Sequence, residues 1–576
     1  MKTFVAAVVF ALSTGLILFN SCNTQSAEKT GHIASDSAMI AKGKAIFRSN
    51  CGPCHNFIQD GIGPRLSGVT AAMPAEWIKQ FIKDPGLVIQ SGDERAKQLY
   101  EKFHTVMPSF ATYSDDELDA IVAFLHTEKA QEESVAIAPG QSLLDPIPEI
   151  IQRSGIEAGL ELVAQVPLSS DETPNTRINK MAAQPGTGQL FIVELRGVLY
   201  RLQDNQPSVY MDLRALRPAF IDKPGMGTGF GSFAFHPEFE KNGLLYTTHT
   251  ELPGAVVPEF KYEDSIERTV QWVLTEWKTD NPRSAVFSGK GRELFRVDMV
   301  TGIHGVQEIT FNPYAKRGDK DYGLLYIGVG DGGCVDERLP QLTHRLDRIL
   351  GSIVRIDPRG NNSANGKYGI PADNPFANDG DPNTLGEIYA YGFRNPHRIS
   401  WTRSGLMLSS NIGSFNIESL YIILPGHDYG WPLREGDFVL KPLETITKVY
   451  ALPEDDVIYN VTYPAARYDH GEGNAICGGF EYLGAACPQL AGKYVFGDIV
   501  NGRLFYVDID DLKLGSRAPI KEWQITFNGE RTTLLELCKK HKAELRLGRD
   551  ARGEIYLWSK QDGKIYKVVN DKKNNT

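Results

Sequence analysis

The sequence predicts a small all-α domain followed by an all-β domain built as a six-bladed β-propeller. Three observations predict it. A short apolar strand opened by glycine recurs six times between positions 188 and 553, long amphipathic helical patterns gather before position 128, and an acidic, proline-containing connector lies between the two regions. The composition agrees: 576 residues, 41% hydrophobic and 23% charged, are the proportions of a water-soluble protein with several cores. The net charge of −10 comes without a basic block, which argues against a nucleic-acid or anionic-membrane surface. Only the first stretch is apolar enough to enter a bilayer, so a polytopic membrane protein is excluded.

That stretch reads as an export signal over residues 1–21. Lys2 gives a positive start, residues 3–19 are uncharged and nearly all apolar, and Asn20-Ser21-Cys22 follows. A helix over 3–19 is at the short limit for spanning a bilayer. A Cys directly after the apolar run resembles the bacterial lipoprotein box, which implies lipidation at Cys22 and a cell-envelope protein held by a lipid anchor. Residues 22–37 are polar, lack periodicity and read as a tether.

Residues 38–128 carry Cys51-Gly52-Pro53-Cys54-His55. C-x-x-C-H means two thioethers to haem, from Cys51 and Cys54, with His55 as the axial iron ligand. A zinc site would need a second Cys/His pair nearby, and a thioredoxin-like pair would need a βαβ surrounding, whereas residues 41–49 are helical in pattern. Met107, in Val106-Met107-Pro108, is the expected second iron ligand, with Met73 and His104 as rivals. Ser114-Asp115-Asp116-Glu117 should cap a helix whose Leu118, Ile121, Val122 and Leu125 form one apolar stripe. The order of these parts resembles class I cytochrome c, which implies a covalent haem c that carries electrons.

Residues 129–154 are the connector, and 155–572 hold the repeats. The strands open at Gly188, Gly243, Gly323, Gly405, Gly492 and Gly553, 55–87 residues apart. Partner strands open at Gly197, Gly291, Gly351, Gly502 and Gly563. Six glycine-opened hairpins suggest six blades, with insertions collecting at one end of an axial channel.

Three polar clusters interrupt the repeats: His304-Gly305 with Gly330-Asp331-Gly332, Gly392-Phe393-Arg394-Asn395-Pro396-His397, and Asn411-Ile412-Gly413-Ser414 with Tyr429-Gly430-Trp431-Pro432. A His held by a carboxylate can take an alcohol proton near neutral pH, and an Arg can stabilise charge on a carbonyl oxygen. Singly, each of these residues has a structural reading, such as Asp331 as a turn former or Arg394 paired with a surface acid.

Their order resembles the glucose/sorbosone dehydrogenase family, with Phe233-Ala-Phe-His236-Pro, Phe311-Asn-Pro313, Leu350-Gly-Ser-Ile-Val-Arg-Ile-Asp357 and Asn374-Pro-Phe376 in the same sequence of motifs. That resemblance implies an oxidoreductase that oxidises an aldose or related alcohol through pyrroloquinoline quinone (PQQ) and passes electrons to haem c and on to an external acceptor. It implies His304 as general base, Asp331 as its orienter, Arg394 and Asn395 on the quinone, and Gly413 and Ser414 carbonyls on a calcium ion. Two departures stand out. Gly227 lies where the family commonly has Gln, and Val500 lies where a Lys grips a PQQ carboxylate, with Arg503 as its substitute. The alternative is a carbohydrate-binding propeller without catalysis, as in hedgehog-interacting proteins. A metal-dependent lactonase is a third reading, but it would not explain the haem motif. Cys334, Cys477, Cys487 and Cys538 are candidates for disulfides after export.

Overall fold

The computed structural model describes residues 33–51, 55, 57, 63–103, 106, 107, 109–129, 141–225, 227–254, 256–540 and 542–571. The expectations for residues 1–21, Cys22, Cys54 and His104 fall outside these described residues.

The N-terminal domain is helical. α1 (Ser37–Ile46) starts where the Asp36 carboxylate accepts from Met39 N at 2.9 Å, and it runs into one wider turn over Phe47–Cys51. Four short helices follow: α2 (Val69–Ala72), α3 (Ala75–Lys83), α4 (Pro85–Gln90) and α5 (Glu94–Phe103). α6 (Asp115–Thr127) opens with the expected capping box, in which Ser114 Oγ accepts from Glu117 N and the Glu117 carboxylate accepts from Ser114 N at 2.8 Å. Its stripe Leu118, Ile121, Val122 and Leu125 is buried. α1 crosses α6 at Gly43, where a Cβ would sit 1.8 Å from Ala120 O. Only glycine permits that approach.

The described residues of the second domain form six sheets. Antiparallel units of four or five strands recur along the chain, the first being Ile178–Ala183, Leu190–Glu194, Val198–Gln203 and Gln206–Asp212. The next three units are centred on Leu244–Glu251, Leu325–Val329 and Met407–Asn411. The last two units are joined into one nine-stranded sheet by β1 (Gln152–Gln165), which pairs parallel with Lys521–Phe527 and antiparallel with Lys564–Asn570. β1 begins three residues before the expected domain boundary. The opening strands of the units lie side by side: Ile178–Ala183 between Leu545–Arg549 and Phe230–Phe235, then Glu308–Phe311, Pro396–Trp401 and Phe480–Glu481. Apolar faces of successive units pack together, as where Phe191 and Val193 meet Phe233 and Trp277, and Tyr326 and Ile353 meet Ile399 and Trp401.

All six glycines that open the repeat have left-handed backbone, with φ from 64° at Gly243 to 96° at Gly405. The turn into the strand needs that conformation, which an L side chain resists. The pairing of the second unit differs from the expected one. The strand after Gly291 is outermost, and Val270–Thr279, which has no opening glycine, lies between it and Leu244–Glu251. A three-stranded sheet (Arg434–Glu435, Phe438–Lys441 and Thr445–Tyr450) is inserted within the fourth unit, between its strands Ile417–Ile422 and Ala466–Asp469. The expected disulfides do not form. Cys334, Cys477, Cys487 and Cys538 are buried free thiols; Cys477 donates to Gly478 O at 3.1 Å, and burial pushes it up to about 12.

Candidate functional site

In the helical domain, Cys51, His55 and Met107 line one largely apolar cavity with Phe47, Leu66, Trp77 and Ile78. His55 is buried, and its Nδ1 lies 2.9 Å from Pro64 O, so Nδ1 carries the proton and Nε2 is left with its lone pair. A Cβ at Gly63 would run into the His55 ring at 2.3 Å, so glycine makes room for the imidazole. The donor set, the apolar walls and the C-x-x-C-H spacing fit haem c. Met73 lines the same cavity.

In the β-rich domain the three polar clusters converge. His304 Nδ1 lies 2.8 Å from Asp331 Oδ1. The same oxygen accepts from Gly333 N at 2.8 Å, and Oδ2 accepts from the Trp431 indole at 3.0 Å. Asp331 is fully buried; burial alone would raise it, but His304 and then Arg394 hold it below the ordinary carboxylate value. His304 has φ 50°, and its carbonyl lies where a Cβ on Gly330 would stand, so glycine at 330 accommodates the turn. Arg394 lies beside this pair. Its own carbonyl accepts from Asp331 N at 2.8 Å, and its guanidinium sits 5.7 Å over the Trp431 ring and pairs with Asp336 at 3.1 Å. Arg394 Nε is buried and has no partner among the described residues. Asn395 is fixed through its backbone, with N donating to Asn411 Oδ1 at 2.9 Å and O accepting from Ile412 N at 3.1 Å.

Around His397 the structure gathers buried basic residues that sequence reasoning missed. His397, Arg398, Arg546 and Lys560 are buried together, and both ring nitrogens of His397 lack a partner. Burial drives His397 well below its ordinary value, and Arg398, Arg546, Lys560 and His304 push it the same way. Lys560 is likewise driven far down by burial and by Arg546, and Arg546 is lowered to about 10 by burial. Among the described residues neither Arg546 nor Lys560 has an ion pair, and Arg546 Nε and Arg177 Nε are buried without partners. Glu544 is a carboxylate that acts on both; buried cations so weakly compensated are costly, and a multiply charged anion would offset that cost. His397 stands in one of the polar clusters, but nothing flagged Arg398, Arg546 and Lys560 in the sequence, because each is a single basic residue in or after a strand.

The departures from the family pattern resolve in space. Gln307 Nε2 donates to Gly227 O at 2.7 Å and would stand 2.6 Å from any Cβ there, so position 307 brings the amide that position 227 lacks. Arg503 is not the missing cation: Glu472 and Glu522 hold its guanidinium at 2.6 and 3.0 Å. The calcium expectation does not fit the 413–417 loop. Gly413 O accepts from Arg394 Nη1, Gly413 N faces Glu418, and the amides of Ser414, Asn416 and Ile417 donate to Glu435 Oε1. The local carboxylates are spent on the loop's own N–H groups, and the Gly413 carbonyl that was to face the ion is taken by Arg394.

A family model described as glucose/sorbosone dehydrogenase matches residues 176–567, and one for cytochrome c matches residues 40–129. The chain belongs to the glucose/sorbosone dehydrogenase family. It joins that family's domain to an N-terminal cytochrome c domain, which implies haem c. The HIPL2 protein of Arabidopsis thaliana is 27% identical over 374 residues, 56% of this chain and 50% of that protein. The Hedgehog-interacting protein of Homo sapiens is 27% identical over 414 residues, 67% of this chain and 50% of that protein. The chain thus spans about half the length of these curated relatives. The apo aldose sugar dehydrogenase of Escherichia coli shares the fold of the β-rich domain, with a TM-score of 0.50 at 16% identity over 72% of this chain and 99% of that one.

Proposed function

We propose that the chain is an exported quinohaemoprotein that oxidises an aldose sugar or related alcohol with PQQ in a six-bladed propeller. The observation that carries this reading is the His304–Asp331 pair beside Arg394, set against the buried Arg546 and Lys560, which have no ion pair among the described residues, and joined on one chain to a cytochrome c domain. Six repeated units with neighbouring opening strands support the blade count. The apolar start and Cys22 support export and a lipid anchor.

Arg546 and Lys560 would hold the carboxylates of PQQ, with His397 and Asn395 as polar neighbours. Bound PQQ supplies the two-electron acceptor, and haem c supplies a one-electron carrier. The residues do the rest. Asp331 keeps the proton of His304 on Nδ1, which leaves Nε2 free to take the proton of the sugar hydroxyl. Gly333 N and Trp431 keep the carboxylate in place, so His304 does not swing as it charges. Arg394, charged and partly unsatisfied, stabilises negative charge that develops on an oxygen beside it.

The test is direct. Protein supplied with PQQ, with and without Ca²⁺, should reduce its own haem when a panel of aldoses is added, read at the haem absorption band. The His304→Ala variant should lose about 10²–10⁴ of that rate, the usual value of a general base, while its haem spectrum stays unchanged. The Hedgehog-interacting relatives favour a second reading, a binding propeller without catalysis. A haem that stays oxidised with every sugar selects that reading.

A further inference from the structure

One surface of the β-rich domain exposes apolar side chains on a rigid support. The short helical turn Asp456–Tyr459 presents Val457, Ile458 and Tyr459, which are 86%, 68% and 54% exposed, and Leu433 beside it is 46% exposed. The turn is firmly held. Asp456 accepts from Arg434 Nη2 at 2.6 Å and from the Tyr463 hydroxyl, and the Arg434 guanidinium stacks 5.0 Å over the Tyr459 ring. Consecutive apolar residues held outward by buried polar bonds mark an interaction surface, since folding alone gains nothing from them.

Two features tie this surface to the reactive site and to the rest of the chain. Leu433 follows two residues after Trp431, whose indole donates to Asp331. The connector is fastened to the inserted sheet that carries Arg434: Leu143 N donates to Val449 O at 2.8 Å, and Leu143 packs into the adjoining core. From Leu143 back to Thr127 at the end of α6, the chain can span at most about 55 Å. The cytochrome domain is therefore tethered at the edge of this surface, which puts it at an effective concentration in the ~mM range for a short link. That domain offers a matching edge, since Tyr100 lines the haem cavity and is 44% exposed.

We propose that Leu433, Val457, Ile458 and Tyr459 form the docking face for the cytochrome c domain of the same chain, seated over the His304–Asp331 site so that electrons cross there to haem c. The kinetic part rests on the dehydrogenase reading; the docking itself does not. A second copy and a lipid surface are the competing occupants.

Two measurements on the full-length holoprotein test the proposal. First, Tyr459→p-benzoylphenylalanine is irradiated and the cross-linked peptides are mapped by mass spectrometry. Cross-links within one chain to residues 38–128 are expected. Cross-links only to a second chain, only to lipid, or to no peptide of that domain overturn the proposal. Second, Ile458→Asp is compared with the unaltered protein for sugar oxidation with a soluble dye and for reduction of its own haem. The dye rate should be unchanged and the haem reduction about tenfold slower, as expected when the tethered encounter weakens by one decade. Equal haem rates overturn the proposal. If neither protein oxidises sugar with the dye, the dehydrogenase reading fails, and the cross-linking still decides the docking.

Discussion

Asp331 is shared among three donors, His304, Gly333 N and the Trp431 indole, and together they fix the carboxylate against the imidazole. The Trp431→Phe variant removes one donor from a buried carboxylate, at a cost of about 1–3 kcal/mol. Without the indole, one oxygen of Asp331 loses its partner and the carboxylate is free to turn away from His304 Nδ1. The value of kcat/KM should therefore fall by about tenfold, with KM little changed. An unchanged kcat/KM would leave Trp431 as packing alone. A second outcome follows from Lys560, which burial and Arg546 keep far below an ordinary lysine. A bound anion favours its charged form, so binding of PQQ should take up protons. Affinity should weaken as pH rises from the depressed value of the empty site toward the ordinary lysine range of about 10.4. Calorimetry in two buffers of different ionisation enthalpy reads the proton uptake, and Lys560→Met should reduce it. His304, Asp331 and Arg394 were legible in the sequence because each sits in a motif of glycines and aromatics. Arg546 and Lys560 were not, since a lone basic residue on a strand looks like any solvent-facing one until the sheets bring several together.

At the level of single elements, the repeat is written in glycines whose backbone requirement is visible, and the consequences are graded. Gly492 has φ 74° with open space around its missing Cβ, whereas at Gly553, φ 85°, a Cβ would meet the Leu483 backbone at 2.8 Å. Gly492→Ala should cost about 1–2 kcal/mol, the left-handed penalty for an L residue. Gly553→Ala adds a collision with backbone that cannot step aside, so its loss should be clearly larger. Scanning calorimetry of the β-domain transition ranks the two, and equal losses would mean that the collision is relieved elsewhere. The six strands were legible for this reason. Strands without an opening glycine, such as Val270–Thr279 and Ile417–Ile422, were not, and neither was the inserted sheet, whose alternation is broken by turns.

For the molecule as a whole, both domains were legible in the sequence, but the joint within the second was not. β1 (Gln152–Gln165) is long and carries Gly155 and Gly159, and no repeat announces it. Its partners lie more than 350 residues away at Lys521–Phe527 and Lys564–Asn570, a pairing that no local pattern encodes. A chain starting at Val166 would leave both of those strands with open edges. It should be recovered as aggregate, or as monomer with a Tm well below that of the full chain, in thermal denaturation followed by light scattering.

The same joint sets a timetable for biogenesis. β1 leaves the ribosome among the first parts of the β-rich domain, yet the strand on its far side is nearly the last to appear. The nine-stranded sheet must therefore stay open through almost the whole of synthesis, with β1 unpaired on both sides until its partners arrive. The final seven-residue strand (Lys564–Asn570) acts as the latch that commits the larger body to its shape.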